Sequence, residues 1–344
     1  MSNPVLQQQR DTFNRLVSMG EEVVDALDYV LALSERGATE LERTHAAIGD
    51  RPLPPVAQQG LYALTAATER VLAAGDPHRA IDWIGMQPRL STLLLLASFN
   101  PAALPSDATS TGTGAAVAAR LPAGISFTDA PRDGRAVVYA GIQADPLLKP
   151  LAVAIAGAKP AERLAARAIM NDPAPDAATA AAYFGVLAPQ RGSSDPLIVG
   201  SLQVGDKAPQ SNAQFRGAIV EAVTAELLRR RPALARDPER LVRRERRFAV
   251  DGVSADPHPF DVSVESGPTP ELWDCKWGAR GIDSSLLAEL EDARIRAAGS
   301  GVRIGIGLVL FDSAPVVAAR LEIVRGPREK TRIITLESLG RLAH

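Results

Sequence analysis

Apolar side chains recur at steps of three and four residues through the first third of the chain, and alternate with polar ones in short runs near its end. From 4 to 49, Leu6, Phe13, Leu16, Val17, Val23, Val24, Leu27, Val30, Leu31 and Leu33 form one such series, with Gln, Arg, Glu and Asp between them. That spacing predicts an amphipathic helix. Gly37 is expected to interrupt it, and the Arg-Pro-Leu-Pro-Pro run at 51–55 to end it. Two more helices are predicted, over about 56–75 and about 87–99. Residues 1–100 are therefore read as a helical domain, with a regulatory, partner-binding or oligomerising role.

The pattern then weakens. Residues 101–135 are dominated by Pro, Ser, Thr, Gly and Ala and read as a linker. Residues 136–188 read as a small Ala-rich α/β segment, with Ala136–Ile142 as a strand and Pro150–Ile169 and Ala177–Leu187 as helices. A polar stretch at 189–212 reads as a second linker. In 213–344 a helix (214–230) precedes strands at 245–251, 259–265 and 271–277. A helix at 284–298, a β-type run Val302–Phe311, a short helix near 314–320 and a strand at 331–336 follow. This order predicts a C-terminal α/β domain with a mixed sheet flanked by helices. The chain as a whole is expected to be multidomain, with a mainly α-helical N-terminal region.

Composition narrows the function classes. The net charge is −2 and the pI about 6.2, so any nucleic-acid surface has to be local. The one cysteine, Cys275, excludes an intrachain disulfide and a cysteine-based zinc cluster, and suits a reducing cytoplasm. The N-terminus lacks the pattern of a signal peptide. The most apolar run, Leu90–Phe99, is about half of what a membrane span needs. A soluble, cytoplasmic protein without a membrane partner is expected.

Candidate chemistry sits in Pro259–Trp277, where two alternating runs flank the Gly- and Pro-rich turn at 265–270. A hairpin symmetric about Gly267–Pro268 pairs residues whose numbers sum to 535, which sets Asp261 opposite Asp274. Lys276, two residues beyond, points to the same face as Asp274. Like charges facing each other destabilise a sheet unless a cation lies between them, and hard oxygen ligands suit Mg²⁺ or Mn²⁺. Lys276 is one of only five lysines among 38 basic residues, and a compact ammonium is not interchangeable with a guanidinium fork. Trp273, Cys275 and Trp277 alternate onto the opposite face and read as core, and His258 as an exposed loop residue.

Asp261 followed by Asp274-Cys275-Lys276 resembles the core of the PD-(D/E)XK, or restriction-endonuclease-like, superfamily. The likeness runs from about Gln214 to Glu337 and leaves residues 1–210 unread. It implies a restriction-endonuclease-like fold and a Mg²⁺-dependent (or Mn²⁺-dependent) endodeoxyribonuclease, in which Asp261 and Asp274 hold the metal and Lys276 assists. By the same likeness Glu221, on the preceding helix, is a fourth site residue and metal ligand. Between that helix and the hairpin lie nine arginines in nineteen residues. Of these, Arg229, Arg230, Arg231, Arg243, Arg244, Arg246 and Arg247 are candidates for contact with the DNA backbone. The expected activity is hydrolysis of DNA phosphodiesters, in a setting such as anti-phage defence. The alternatives are a non-catalytic scaffold with a degenerate nuclease fold, and a nuclease toxin with an N-terminal delivery domain. A protein partner or self-association is expected to use residues 1–100.

Overall fold

The apolar series at the N-terminus folds as one uninterrupted helix, α1 (Pro4–Ile48), in a computed structural model that describes residues 4–107, 120–130, 134–254 and 258–344. Gly37 does not break it. A Cβ at position 37 would meet the Pro88 ring at 2.8 Å, so the glycine is there for close packing. The partner helix is α3 (Pro77–Phe99), which carries Pro88 inside it and follows α2 (Pro55–Ala73). Asp76 caps α3 by accepting from the backbone N–H groups of His78 and Arg79. Only part of the α1 stripe is buried: Tyr29 and Leu33 enter the core, whereas Val23, Val24, Leu27 and Leu31 are exposed.

The middle of the chain is more ordered than its composition suggests. It contains β1 (Ile125–Asp129), α4 (Gly134–Gln143), α5 (Leu148–Gly157), α6 (Pro160–Asn171), α7 (Ala177–Leu187), α8 (Pro196–Gly205) and α9 (Pro209–Arg229). Three segments depart from what their sequence predicts. Ala136–Ile142 is helical, because Tyr139 and Ile142, three residues apart, turn together onto the core. The 101–135 linker contains β1, which pairs along the edge of the sheet. The 189–212 linker contains α8, whose Leu197, Ile198 and Val204 are buried. Helix α6 is buried along its whole length and forms the centre of the helical layer.

The last third holds α10 (Pro238–Leu241), β2 (Val242–Val250), β3 (Val253–Ser254), β4 (Phe260–Val264) and β5 (Glu271–Lys276). Then come α11 (Ser284–Gly299), β6 (Gly305–Leu310), α12 (Ala314–Ile323) and β7 (Arg332–Ile334), before a 3-10 tail (Leu336–Ala343). Among the described residues these strands form one seven-stranded sheet in the order β1-β2-β4-β5-β6-β7, with β3 added to β2 through an Asp251–Gly252 turn. Strands β1, β2, β4 and β5 are antiparallel, whereas β5, β6 and β7 are parallel, so the sheet is mixed as expected.

Each face of the sheet has its own core. Trp273, Cys275, Val262 and Val264 pack with α9 and the helical layer, in a cluster that continues through α2, α3 and α5–α8. Leu272, Ile306, Leu308 and Leu310 pack with α11, α12 and the α1 residues Tyr29 and Leu33. The helical half therefore covers the sheet and shares its cores. No helix of the described residues is long and apolar enough to cross a membrane.

Candidate metal centre

The hairpin register is the one that the turn residues predict. Val262 pairs with Trp273, Ser263 with Leu272 and Val264 with Glu271. Beyond Val262 the ladder stops and side-chain chemistry takes over: Asp261 Oδ2 accepts the Cys275 backbone N–H at 2.6 Å. The carboxylate of Asp261 thus fills the fork between β4 and β5. Asp274, in the next register position, is held by Lys276, with Nζ at 2.6 Å from Asp274 Oδ1. Lys276 itself lies over Gly281, where a Cβ would meet the lysine Cβ and Cγ at 2.9 Å.

A second acid arrives from β2, one the sequence pattern did not single out. In the β2–β4 ladder Arg244 pairs with Val262 and Arg246 with Phe260, which puts Glu245 beside Asp261. Both strands change phase at this row. Val242 and Val262 belong to the α9 core, while Phe248 and Phe260 belong to the opposite one, although residues an even number apart share a face in a regular strand. The change is made by Glu245, whose φ of 54° is left-handed, a conformation costing a non-glycine residue about 1–2 kcal/mol. Strain of that size tends to persist at sites where the side chain has a task.

The third acid is Glu221, on α9. Glu221 and Glu226 lie at opposite edges of the apolar arc of α9, and the tertiary structure separates them. Glu226 pairs with Arg230 one turn on, whereas Glu221 is buried against the sheet and accepts a hydrogen bond from the Tyr139 hydroxyl on α4. Carboxylate oxygens of Glu221, Glu245 and Asp261 lie within 4.8 Å of one another. The Glu221 Oε2 atom is buried with no hydrogen-bond partner among the described residues. A cluster of hard oxygen donors with one oxygen unclaimed fits a divalent cation such as Mg²⁺ or Mn²⁺. The geometry thus gathers Asp261 and Glu221 with Glu245, and places Asp274 next to them in the Lys276 ion pair.

Electrostatics agree with an excess of negative charge. Burial, with Asp274 and Glu221 adding to it, raises the Asp261 carboxyl well above the usual range. Glu245 is raised by burial, against the pull of Arg244. Glu221 is pushed up to about 8, by burial first and by Glu245 and Asp274 in support, while the Tyr139 hydrogen bond opposes the shift. Burial pulls the Lys276 ammonium down, but Asp274 and Asp261 outweigh it and leave it above its ordinary value.

A pH dependence follows. The folded state holds the Glu221 proton more tightly than the unfolded chain, so this group favours folding below about pH 4.5 and that contribution is lost as pH rises towards about 8. Asp261 and Glu245 act in the same direction. The melting temperature of metal-free protein is expected to fall across that window, and Mn²⁺ to restore more of it near pH 8 than near pH 6. A metal-free profile that rises across the window, or Mn²⁺ stabilisation that is independent of pH, would contradict the arrangement.

The arginine run divides into two roles. Arg231 is tied to Glu271 at 2.9 Å and to the Leu342 carbonyl, and Arg246 to Glu265 at 2.7 Å, to Asp129 and to the Phe127 carbonyl. These two hold the sheet together. Arg230 pairs within its own helix. Arg243 is half-exposed, with Asp129 at 3.9 Å, and Arg247 is engaged in an interaction of its own. Arg229 and Arg244 line a cleft of about 250 Å³ with Lys149, Gln143, Glu226 and Glu239, next to Ala222. Its wall thus joins the chain neighbours of Glu221 and Glu245. Trp273 and Cys275 are buried, as their alternation predicts, and Cys275 Sγ reaches Thr224 Oγ1 of α9 at 3.5 Å.

Comparison with protein-family models, with curated proteins and with solved structures gives no match, so the reading of this centre rests on its own geometry and chemistry.

Proposed function

We propose that the chain is a divalent-metal-dependent phosphodiester hydrolase that acts on DNA, with a restriction-endonuclease-like arrangement in its last third. The observation that carries this reading is the convergence of Glu221, Glu245 and Asp261 around one unclaimed carboxylate oxygen, beside an Asp274–Lys276 pair. The order α9, β2, β4, β5, α11, β6 and the residues Asp261 and Asp274-Cys275-Lys276 add support through the family resemblance.

In this reading Glu221, Glu245 and Asp261 would hold Mg²⁺ or Mn²⁺, which would supply Lewis-acid polarisation of a phosphoryl oxygen. Tyr139 orients Glu221 through its hydrogen bond, and the Cys275 amide orients Asp261. Asp274 keeps the Lys276 ammonium charged and aimed, so that Lys276 holds a non-bridging phosphate oxygen as charge builds on it. Arg244 and Lys149 supply positive charge along the adjoining cleft, in which Arg229 pairs with Glu239 at 3.2 Å, and a backbone phosphate would lie there.

The Asp274–Lys276 ion pair is also what favours the other reading, a non-catalytic scaffold in which the pair is structural. Calorimetric titration separates the two. Mn²⁺ is expected to bind the wild type at neutral pH and to bind Asp261→Asn more than about tenfold more weakly. Equal affinity for the two proteins, or no binding to either, would remove the metal centre from the account.

A further inference from the structure

A second group of charged side chains gathers around Trp277, at the end of β5. Arg79 opens α3, Arg167 and Asn171 lie one turn apart on α6, Arg216 is on α9, and Trp277 follows Lys276. The Trp277 ring lies 5.7 Å from the Arg167 guanidinium carbon and 5.3 Å from that of Arg216. Asn171 Oδ1 accepts from both Trp277 Nε1, at 3.2 Å, and Arg216 Nη1. Arg79 and Arg167 are close enough to Arg216 that their like charges, after burial, help push its guanidinium down to about 10.

These groups have more donors than acceptors. Arg167 is fully buried, and of its five N–H bonds only the one on Nε is well used, donating to the Phe311 carbonyl at 2.6 Å. Its Nη2 forms an ion pair with the equally buried Asp312 at 3.1 Å but lacks hydrogen-bond geometry, and its Nη1 has no acceptor among the described residues. Arg79 Nε, Arg216 Nε and Asn171 Nδ2 are also buried without an acceptor among the described residues. Of the three acids nearby, Asp76 already accepts from the His78 and Arg79 amides and Asp312 from the Ala279 and Ser313 amides, the latter at 3.1 Å and 2.9 Å. Asp82 approaches at Gly278, and it takes part in no ion pair among the described residues.

Arg163, one turn before Arg167 on the same helix, shows what a structural arginine looks like in this core. It is equally buried, yet both its terminal nitrogens bond Asp107, at 3.0 Å and 3.1 Å, and its Nε bonds the Ile155 carbonyl at 3.1 Å. An unpaired buried donor is costly, more so when it is charged. Several buried donors on three helices stay without an acceptor although carboxylates lie near them, and an oxyanion whose several acceptor oxygens match guanidinium forks would satisfy them.

We propose that Arg79, Arg167, Arg216 and Asn171 form a binding site for a phosphate group, separate from the acidic centre and reached past the half-buried Arg216 and Trp277 side chains. The site does not depend on the hydrolase reading. Its ligand is inorganic phosphate or the terminal phosphate of a small phosphorylated molecule such as a nucleotide.

The test is thermal unfolding of the full chain in EDTA, titrated with inorganic phosphate at ionic strength held constant with chloride. A ligand that binds only the folded state raises the melting temperature as its concentration passes Kd. The wild type is expected to show that rise, Arg216→Gln and Arg79→Gln to need at least about tenfold more phosphate for it, and Asp261→Asn to respond as the wild type does. A nucleoside monophosphate compared with its unphosphorylated nucleoside then identifies the source. Tighter binding than inorganic phosphate assigns a nucleotide, and equal binding assigns the free ion. No rise beyond that in chloride, or an unchanged response in both arginine variants, would overturn the site. Loss of the response in Asp261→Asn alone would move phosphate to the acidic centre and equally overturn it.

Discussion

Replacing Lys276 by alanine is expected to lower DNA cleavage by about 10²–10³-fold while circular dichroism and the melting transition stay those of a folded protein. The ammonium lies within an ion-pair distance of a site carboxylate, with Nζ 2.6 Å from Asp274 Oδ1, and its side chain is one-third exposed. It is therefore positioned by the fold without being central to either core. Removing it leaves Asp274 without its counter-ion beside Asp261, so the metal-free variant is expected to be somewhat less stable, and Mn²⁺ to restore it. Lys276→Arg sharpens the test. If the pair with Asp274 were only structural, arginine would keep the charge and the activity. If the ammonium must fit beside a phosphate oxygen, arginine keeps the fold and loses the cleavage.

Glu245→Gln is the second large expected effect, on the order of 10²-fold in cleavage, with weaker Mn²⁺ binding and a higher melting temperature without metal. The rise comes from removing one of three carboxylates whose oxygens lie within 4.8 Å of each other. Glutamine keeps the length and leaves the left-handed backbone at φ 54° as it is, so the change tests charge and not strain. Glu245→Gly separates the two: it relieves the backbone and removes the ligand, so stability should rise further while cleavage stays low. Full cleavage in Glu245→Gln would return the ligand role to Asp274, as the sequence pattern expects.

Residues close in sequence were the legible part of this site. The Gly267–Pro268 turn sets the hairpin register, because turn geometry and alternation both fix which residues face each other, and the register Val262–Trp273 follows from it. The reach of α1 and the α9–β–β–β–α11–β6 order also follow from periodicity, whereas the break expected at Gly37 does not occur, because that glycine packs against Pro88. Glu245 was hidden among arginines that read as a solvated or DNA-facing run. Only its place beside Asp261, and the phase change that turns it inward, mark it as a site residue. Arg231 and Arg246 were hidden in the same way, since their partners Glu271 and Glu265 are remote in sequence. Strand β1 lies in a stretch whose composition is that of a linker, and it is formed by pairing with β2 more than by its own propensity. The Arg79–Arg167–Arg216 group joins three helices and has no local signature at all.

The most direct test of the acidic centre as a nuclease site is conversion of supercoiled plasmid DNA by the purified full chain, with Mn²⁺ or Mg²⁺ and with EDTA, alongside Lys276→Ala. Nicked and linear DNA are expected for the wild type with metal, and uncut DNA both in EDTA and with the variant. Cleavage that persists in EDTA, or that Lys276→Ala retains in full, would contradict that role.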